Sequence, residues 1–267
     1  MSIKNFRLKN GKKLNIFPIS DIHYGNPQCN VEYFQFLLEK FERTKGSKII
    51  YMLGDECDVA TKRQGNSTYK QKINVNDQIE FIVDSFKPFK KHINGIVQSN
   101  HMARTKKEFD LDITKVIANE LNIPYVNNIY EKLKIGKESY IVYGTHGNKT
   151  SQQQHLMMGA VQRQTDHIDA NLFLYGHAHY TATWSQPKVS ADGYERRHYV
   201  LCGHMLNYKN SYAEVMGLKP NPPGFTKIQI DSNLRTNVEI FNFDECRLSK
   251  WLLICWKILM MMKNLYL

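Results

Sequence analysis

Apolar runs of strand length alternate with amphipathic segments along the first two thirds of the chain. Apolar positions recur at helical spacing in four stretches, 31–44, 77–89, 111–121 and 152–164. Between them lie short apolar runs that each stop at polar residues. Their sequences are LNIFPIS (14–20), KIIYMLGDECD (48–58), NGIVQSNH (94–101), KLKIGKESYIVYGTHG (132–147) and NLFLYGHAH (171–179). The alternation predicts strands that are separated by helices.

The pattern changes after about residue 180, where four further strand-like segments follow one another. They are TATWSQPKV (181–189), YERRHYVLC (194–202), FTKIQI (225–230) and RTNVEIF (235–241). Strands and helices that alternate, followed by a strand-rich half, predict an α/β protein whose sheets are covered by helices. The sequence shows no internal repeat and no linker, so we expect one domain over residues 1–243.

Polar side chains of the metal-binding type follow five of the apolar runs. In α/β sheets, ligands collect just beyond the carboxyl ends of strands. Taken singly, an Asp after a strand is usually a turn or N-cap residue, and a lone His is usually an ordinary polar residue. Five of the ten histidines nevertheless fall in these clusters. The residues are Asp21 and His23; Asp55 and Asp58; Asn100 and His101; His146; His177 and His179.

The residue types in these clusters suit two transition-metal ions. In an extended chain, residues i and i+2 point to the same side, so we expect Asp21 and His23, and likewise His177 and His179, to face one ion. Imidazole and carboxylate together suit Mn, Fe or Zn better than Ca or Mg. These candidate ligands are too many for one tetrahedral site. They fit two ions that share a carboxylate, the arrangement that clamps a phosphoryl displacement.

The ordered motifs resemble those of the calcineurin-like metallophosphoesterase superfamily. They are D-x-H (21–23), G-D-x-x-D (54–58), N-H (100–101), G-T-H-G (144–147) and G-H-x-H (176–179). The resemblance implies a four-layer α-β-β-α sandwich and two divalent metal ions, with Mn favoured and Fe or Zn as alternatives. In style the motifs are similar to those of SbcD-type nucleases.

The resemblance also implies a role for each matching residue. The first metal would be held by Asp21, His23 and His179, and the second by Asn100, His146 and His177, with Asp55 bridging. A hydroxide between the metals would attack phosphorus in line. His101 would contact the phosphoryl oxygen or protonate the leaving group, and Asp58 would orient His101.

The third motif departs from the family pattern on both sides of Asn-His. Ser99 stands where the family usually has Gly, and Met102 where it usually has an acid. Ser99 would be strained if its position requires a positive φ. Arg104 is close enough in sequence to bind a substrate phosphate through its guanidinium fork, although a solvated surface arginine is an equal alternative.

Net charge and loop composition bear on the substrate. The formal net charge of +11 favours anionic partners, although lysines also simply cover surface. Basic residues follow the second and third motifs, at Lys62, Arg63, Lys70, Lys72, Arg104, Lys106 and Lys107. A polyanion uses such a surface, which favours a phosphodiesterase or nuclease acting on nucleic acid. The alternatives are a phosphomonoesterase for phosphoproteins or small metabolites, and a non-catalytic binding scaffold with the same fold.

Cysteine usage and hydropathy bear on location. The five cysteines form no CxxC pair, the N-terminus lacks the apolar stretch of a signal peptide, and no long uncharged apolar run exists. We therefore expect a cytoplasmic protein. The last segment, 244–267, is apolar almost all round. It packs on the domain as an accessory segment, mediates oligomerisation, lies on a membrane surface or is not part of the natural fold.

Overall fold

Helices and strands alternate up to the middle of the chain in the computed structural model, which describes residues 2–6, 13–60, 71, 73–190 and 193–243. The helices are α1 (Val31–Arg43), α2 (Val75–Phe86), α3 (Ala103–Phe109), α4 (Ile113–Leu121), α5 (Gln154–Thr165) and α6 (Tyr212–Val215), with a 3-10 turn at Lys87–His92. The strands are β1 (Ser2–Phe6), β2 (Lys13–Ile19), β3 (Ser47–Met52), β4 (Ile93–Val97), β5 (Tyr125–Val126), β6 (Ile129–Ile135), β7 (Glu138–Thr145), β8 (Leu172–Tyr175), β9 (Thr181–Ser190), β10 (Gly193–His204), β11 (Gly224–Asp231) and β12 (Thr236–Asn242).

The strands of the described residues join into one curled sheet with two halves. Its order is β1-β6-β7-β8-β10-β11-β2-β3-β4-β5, with β9 paired to β10 and β12 paired to β11. In one half β2, β3, β4 and β5 run parallel, and in the other β7, β8 and β10 run parallel. The carboxyl ends of parallel neighbours lie at one edge, which brings the predicted clusters within each half together.

Strict alternation along the strands separates two buried layers. In β3, Tyr51 points into a cluster shared by the two halves of the sheet, while Ile50 and Met52 point into a cluster that α1, α2 and α4 complete. In β8, Leu174 belongs to the shared cluster and Phe173 to a third, which includes residues of α5. The predicted α/β class is confirmed, and the predicted four-layer order of the sandwich stays a prediction.

Helix boundaries follow from local polar residues. The side chain of Asn30 accepts from the backbone N–H of Tyr33 at the start of α1, and Asp112 does the same for Lys115 at the start of α4. The helices that the apolar spacing predicts all form. Helix α3 was not predicted, because its sequence ARTKKEF has little apolar periodicity, and neither was β1. Residues 244–267 lie outside the described residues.

Candidate metal centre

The five predicted clusters meet at the carboxyl ends of the strands. Asp21 and His23 follow β2, Asp55 and Asp58 follow β3, and Asn100 and His101 follow β4. His146 follows β7, and His177 and His179 follow β8. Three groups of these side chains have ligand atoms within 4.8 Å of one another: Asp21, His23 and His179; Asp55, His146 and His177; and His23, Asp58 and His101.

The backbone at these residues is left-handed, not extended as the sequence pattern predicts. Residues Asp21, His23, Asp55, His177 and His179 all have positive φ, between 52° and 61°. The argument from an extended chain is therefore wrong for both the D-x-H and H-x-H pairs. The side chains of Asp21 and His23 do converge, whereas His177 and His179 fall in different groups. Left-handed conformation at non-glycine residues costs about 1–3 kcal/mol each and is concentrated at functional sites.

The first group consists of Asp21, His23 and His179. Nε2 of His179 lies 3.2 Å from Oδ1 of Asp21 and 3.1 Å from Nε2 of His23. Oδ1 of Asp21 is buried and accepts no hydrogen bond of normal geometry within the described part of the chain, whereas its Oδ2 accepts from Ser20 and from the backbone N–H of His177. One carboxylate oxygen and two imidazole nitrogens are thus left facing one another.

The second group surrounds Asp55. Its Oδ2 lies 3.3 Å from Nε2 of His146 and 3.7 Å from Nε2 of His23, so this carboxylate stands between the two groups. Nε2 of His146 is also 2.9 Å from Oδ1 of Asn100. Nδ1 of His146 lies 2.8 Å from the carbonyl oxygen of Leu53, which orients the ring so that Nε2 faces the cluster.

In this buried cluster, burial lowers the pKa of His177, whereas contacts with opposite charges together outweigh burial at other members. Burial by itself lowers the pKa of His23, but the Asp21, Asp58 and Asp55 carboxylates outweigh it and raise the pKa to about 10. In the same way Asp55 raises the pKa of His146 to about 9. Burial raises the pKa of Asp21, but contacts with His179 and His23 hold it well below its usual range. The chain alone therefore holds ionised carboxylates beside protonated imidazoles.

These residues fit divalent cations. Carboxylate oxygens and imidazole nitrogens converge without intervening side chains, one buried carboxylate oxygen lacks a donor, and the donor set is the mixed N/O type that Mn, Fe and Zn accept. Asn100 contributes a neutral oxygen to the second group. The predicted ligands are thus brought together, and their assignment as metal ligands stays a prediction.

Two glycines allow the loops to approach this closely. A Cβ atom on Gly176 would lie 2.2 Å from Oγ of Ser20, and one on Gly54 would lie 2.6 Å from Cβ of Ser99. Gly54 also has a φ of 93°. Any side chain at these positions would push apart the loops that carry Asp21, Asp55 and Asn100.

Asp58 orients more than one neighbour. Its Oδ1 lies 3.2 Å from Nδ1 of His23 and 3.5 Å from Nδ1 of His101, and the side-chain amides of Asn26 and Gln71 donate to the same carboxylate. Burial raises the pKa of Asp58, but hydrogen bonds with His101 and His23 reverse the effect and lower it. Asp58 therefore supports His23 at least as directly as it supports His101.

His101 has both ring nitrogens engaged by the chain. Nδ1 lies 2.9 Å from the carbonyl oxygen of Asp58, and Nε2 lies 2.9 Å from Nη2 of Arg104. Nη1 of Arg104 donates to the carbonyl oxygens of Asp58 and Val59. Arg104 has no carboxylate within 4.0 Å among the described residues. The predicted substrate-binding arginine therefore lies beside the predicted acid, and both roles stay predictions.

The two departures from the family pattern have structural explanations. Ser99 does not have a positive φ, and its Oγ accepts a hydrogen bond from the backbone N–H of Asp55 at 2.9 Å. Met102 is fully buried in the cluster between the sheet and α1, α2 and α4. Neither change removes a group that faces the metal-binding side chains.

His204 is a neighbour of the cluster that the sequence analysis missed. It ends β10, its ring stacks on that of His179, and its Nδ1 accepts from the backbone N–H of Leu206. Nε2 is buried without a hydrogen bond, since the nearby main chain of Asn221 does not meet it at normal geometry. His204 directly follows the apolar run YVLCG, just as the other five clusters follow apolar runs, and this pattern could have identified it.

An open cleft of about 700 Å³ leads to the cluster. Beside His23, Asp55, His101 and His179, its walls carry amides and tyrosines, with Lys219 as the one lysine or arginine in the lining that the structure describes. The lining includes Asn26, Gln28, Gln152, Tyr180, Asn207, Tyr208, Tyr212 and Asn221. Lys62, Arg63, Lys70 and Lys72 lie outside the described residues.

No family model matches the chain, and no curated protein matches it. Among solved structures, it is similar to a conserved Streptococcus pneumoniae protein described as a predicted phosphoesterase, at 12% identity and a TM-score of 0.37, over 87% of this chain and 99% of that chain. It is also similar to wild-type Vps29 of Entamoeba histolytica in complex with Zn²⁺, at 12% identity and a TM-score of 0.37, over 86% and 99%. Similarity at this level does not assign an activity, so residue roles rest on this chain's own geometry.

Two further expectations concern location. Within the described residues, no helix is long and apolar enough to cross a membrane. Cys29, Cys57 and Cys202 are free thiols. Cytoplasmic location stays a prediction.

Proposed function

We propose that this chain is a two-metal phosphoesterase of the calcineurin-like metallophosphoesterase type. The observation that carries the proposal is the position of Asp55 between two groups of ligand atoms, with Oδ2 3.7 Å from His23 and 3.3 Å from His146. A carboxylate shared by two nitrogen-rich groups is the arrangement expected where two ions act on one phosphoryl group.

Each proposed ion has its own ligands. Asp21, His23 and His179 hold the first, Asn100, His146 and His177 hold the second, and Asp55 is shared. When bound, two divalent cations, with Mn favoured and Fe or Zn as alternatives, supply Lewis acidity and activate water for hydrolysis of the ester. The chain's own residues orient these ligands: Asp58 holds His23, and Leu53 O holds His146.

His101 and Arg104 supply the groups that would contact the substrate. His101 lines the cleft beside the cluster, and Arg104, which has no carboxylate within 4.0 Å among the described residues, contacts Nε2 of His101. A phosphoryl group is a better partner for a guanidinium than a neutral imidazole nitrogen, because its oxygens are negatively charged and can accept two parallel N–H bonds from the guanidinium. We assign phosphoryl binding to Arg104, and phosphoryl contact or leaving-group protonation to His101.

The substrate that we propose is a phosphodiester in nucleic acid. The net charge of +11 and the exposed Lys107 of α3 favour a polyanion. Tyr180, Tyr208 and Tyr212 line the cleft, where they could stack on bases. Trp184, in contrast, stacks on Tyr199 in the buried cluster of α5 and serves packing.

A substrate panel tests this proposal. Metal-stripped protein is reloaded with Mn²⁺ and incubated with single- and double-stranded DNA, RNA and small phosphomonoesters, beside His101→Ala and His155→Ala as a control on the exposed part of α5. We expect Mn²⁺-dependent cleavage of nucleic acid that falls with salt and drops by about 10²–10⁴-fold in His101→Ala only. If only the small phosphomonoesters are hydrolysed, the nuclease proposal is wrong and the phosphomonoesterase alternative is favoured.

Metal content separates an enzyme from a binding scaffold. Protein purified without chelator should contain two equivalents of divalent metal, because the ligand atoms of both groups are already together. Absence of bound metal even after incubation with Mn²⁺ would favour the scaffold. We also propose that the protein is cytoplasmic, which the free thiols of the described residues support.

Residues 244–267 are proposed as an oligomerisation segment. Light scattering of the full chain and of a chain truncated at residue 243 tests this role.

A further inference from the structure

His204 touches a proposed metal ligand without belonging to any group of ligand atoms. Its ring is 4% exposed and stacks on the ring of His179, with centroids 5.0 Å apart and planes 19° from parallel. His179 is only partly buried, and its Nε2 lies 3.2 Å from Oδ1 of Asp21. His204 therefore supports the most exposed ligand of the first group from one face.

Hydrogen bonds fix His204 in place. The backbone N–H of Leu206 donates to Nδ1 at 3.1 Å, so Nδ1 carries no proton and the ring plane is set. The next residue, Met205, donates its backbone N–H to the carbonyl oxygen of Asp21 at 3.0 Å. The segment 204–206 thus contacts two members of the first group, Asp21 through the main chain and His179 through a ring.

Packing alone does not explain an imidazole at this position. Nε2 of His204 is buried and makes no hydrogen bond of normal geometry within the described part of the chain, although the main chain of Asn221 lies near it, and a poorly paired buried donor costs stability. A phenyl ring would stack on His179 without this cost, but it could not accept from Leu206. Histidine therefore combines two features that phenylalanine does not: a flat ring that stacks on His179 and an acceptor, Nδ1, that holds this ring through the N–H of Leu206.

We infer that His204 is a positioning residue, which holds the imidazole of His179 with Nε2 toward Asp21 and His23 and thereby strengthens divalent-cation binding by the first group. The inference rests on the proposed function, in which these three residues hold one of two cations. Residues that orient a metal ligand typically change metal affinity about 10- to 100-fold when they are removed.

Three variants test separately the contribution of the stacked ring and that of the hydrogen bond from Leu206 to Nδ1. His204→Phe keeps a flat ring and loses the acceptor. His204→Asn loses the ring, but its side-chain oxygen can still accept from the N–H two residues on. His204→Ala loses both. His198→Ala is the matched control, because His198 lies six residues earlier on the same strand and pairs with the start of β8, far from His177.

The measurement is Mn²⁺ binding to metal-stripped, full-length protein by titration calorimetry, with the visible absorption of Co²⁺-loaded protein as a second readout of ligand geometry. Wild type should bind two equivalents. In His204→Ala one equivalent should bind at least ~10-fold more weakly and the Co²⁺ spectrum should change, while the other equivalent and His198→Ala stay at wild-type affinity. The Mn²⁺ affinities of His204→Phe and His204→Asn for that equivalent should lie between those of wild type and His204→Ala.

Other outcomes overturn the inference. Wild-type affinity for both equivalents in His204→Ala would do so, as would an equal loss in His198→Ala. If circular dichroism shows that His204→Ala does not fold, unchanged Mn²⁺ affinities in both the Phe and the Asn variants overturn it. If wild type binds no divalent cation, the proposed function fails together with this inference, whereas two bound equivalents with unaffected variants overturn this inference alone.

Discussion

Nη2 of Arg104 lies 2.9 Å from Nε2 of His101, while Nδ1 of His101 lies 2.9 Å from the carbonyl oxygen of Asp58. Because a guanidinium only donates, Nε2 is the acceptor and Nδ1 carries the proton of a neutral ring. In this arrangement His101 offers no N–H to a leaving group. Protonation of a leaving group by His101 therefore requires that Arg104 moves away and that Nε2 then takes up a proton, whereas Arg104 itself can move to a phosphoryl oxygen of the substrate.

Replacing Arg104 by glutamine should uncover His101 and weaken catalysis at the same time. Without the guanidinium, Nε2 of His101 becomes available, so diethylpyrocarbonate should modify His101 several-fold faster, as measured by peptide mass spectrometry. Loss of one charged hydrogen bond to the substrate should lower kcat/KM by about 10- to 100-fold.

Arg43→Gln is the matched control for this variant, because the Arg43 side chain is 79% exposed and pairs with Glu39 on α1. It should change neither His101 modification nor kcat/KM. Unchanged modification of His101 in Arg104→Gln would contradict the contact between Arg104 and Nε2, and unchanged kcat/KM would contradict the phosphoryl-binding role.

Metal binding should release protons. Carboxylates raise the pKa of His23 to about 10 and that of His146 to about 9, so both rings are protonated in the metal-free chain at pH 7. An imidazole binds a metal only when the coordinating nitrogen has lost its proton. Binding of two cations at pH 7 should therefore release about two protons, and apparent affinity should rise with pH until these groups are neutral.

Calorimetry in two buffers of different ionisation enthalpy measures this release. His146→Ala should reduce the number of protons by about one, whereas His155→Ala, on the exposed part of α5, should leave it unchanged. A binding enthalpy that does not depend on the buffer would show that the two imidazoles are already neutral in the metal-free protein.

The positions of the ligands along the sequence could be predicted because Asp, Asn and His side chains follow the apolar runs directly where the strands end. Asp21, Asp55 and His146 each follow such a run, and parallel pairing places the ends within each half at one edge. The helices α1 and α4 were predicted because one apolar face repeats at helical spacing.

The remaining features depend on contacts between distant parts of the chain. Asp21 and His179 have positive φ because contacts between separate loops hold them there. Neither residue is a glycine, so no local sequence pattern predicts this conformation. The contact between Arg104 and His101 depends on α3, which lacks apolar periodicity. His204 follows a run like the others, but only the stack on His179 relates it to the cluster.

Ser99→Ala should destabilise the loop that carries Asp55. Oγ of Ser99 accepts from the buried backbone N–H of Asp55, and removing the hydroxyl leaves that donor unpaired. The free energy of unfolding should fall by about 1–3 kcal/mol in chemical denaturation of the metal-free protein. Ser151→Ala, which removes a solvent-exposed bond to the N–H of Gln153, should change it by less than about 0.5 kcal/mol. Equal effects of the two variants would argue against a special role for Ser99.

Glu56→Gln should stabilise the metal-free protein in a pH-dependent way. Burial raises the pKa of Glu56 from 4.5 to about 8, and one of its carboxylate oxygens is buried without a partner in the described part of the chain. Because the folded-state pKa lies above the unfolded one, the folded chain binds the extra proton between these values, and its stability falls as pH rises through that window.

Glutamine is neutral at every pH, so the variant should gain about 2–4 kcal/mol of stability over wild type between pH 5 and pH 8.5. Urea unfolding at both pH values measures the gain, with the exposed Glu120→Gln as a control that should show no pH-dependent difference. A stability difference between Glu56→Gln and wild type that is the same at both pH values would mean that Glu56 ionises normally, and its partnerless oxygen would then have to be matched by a cation.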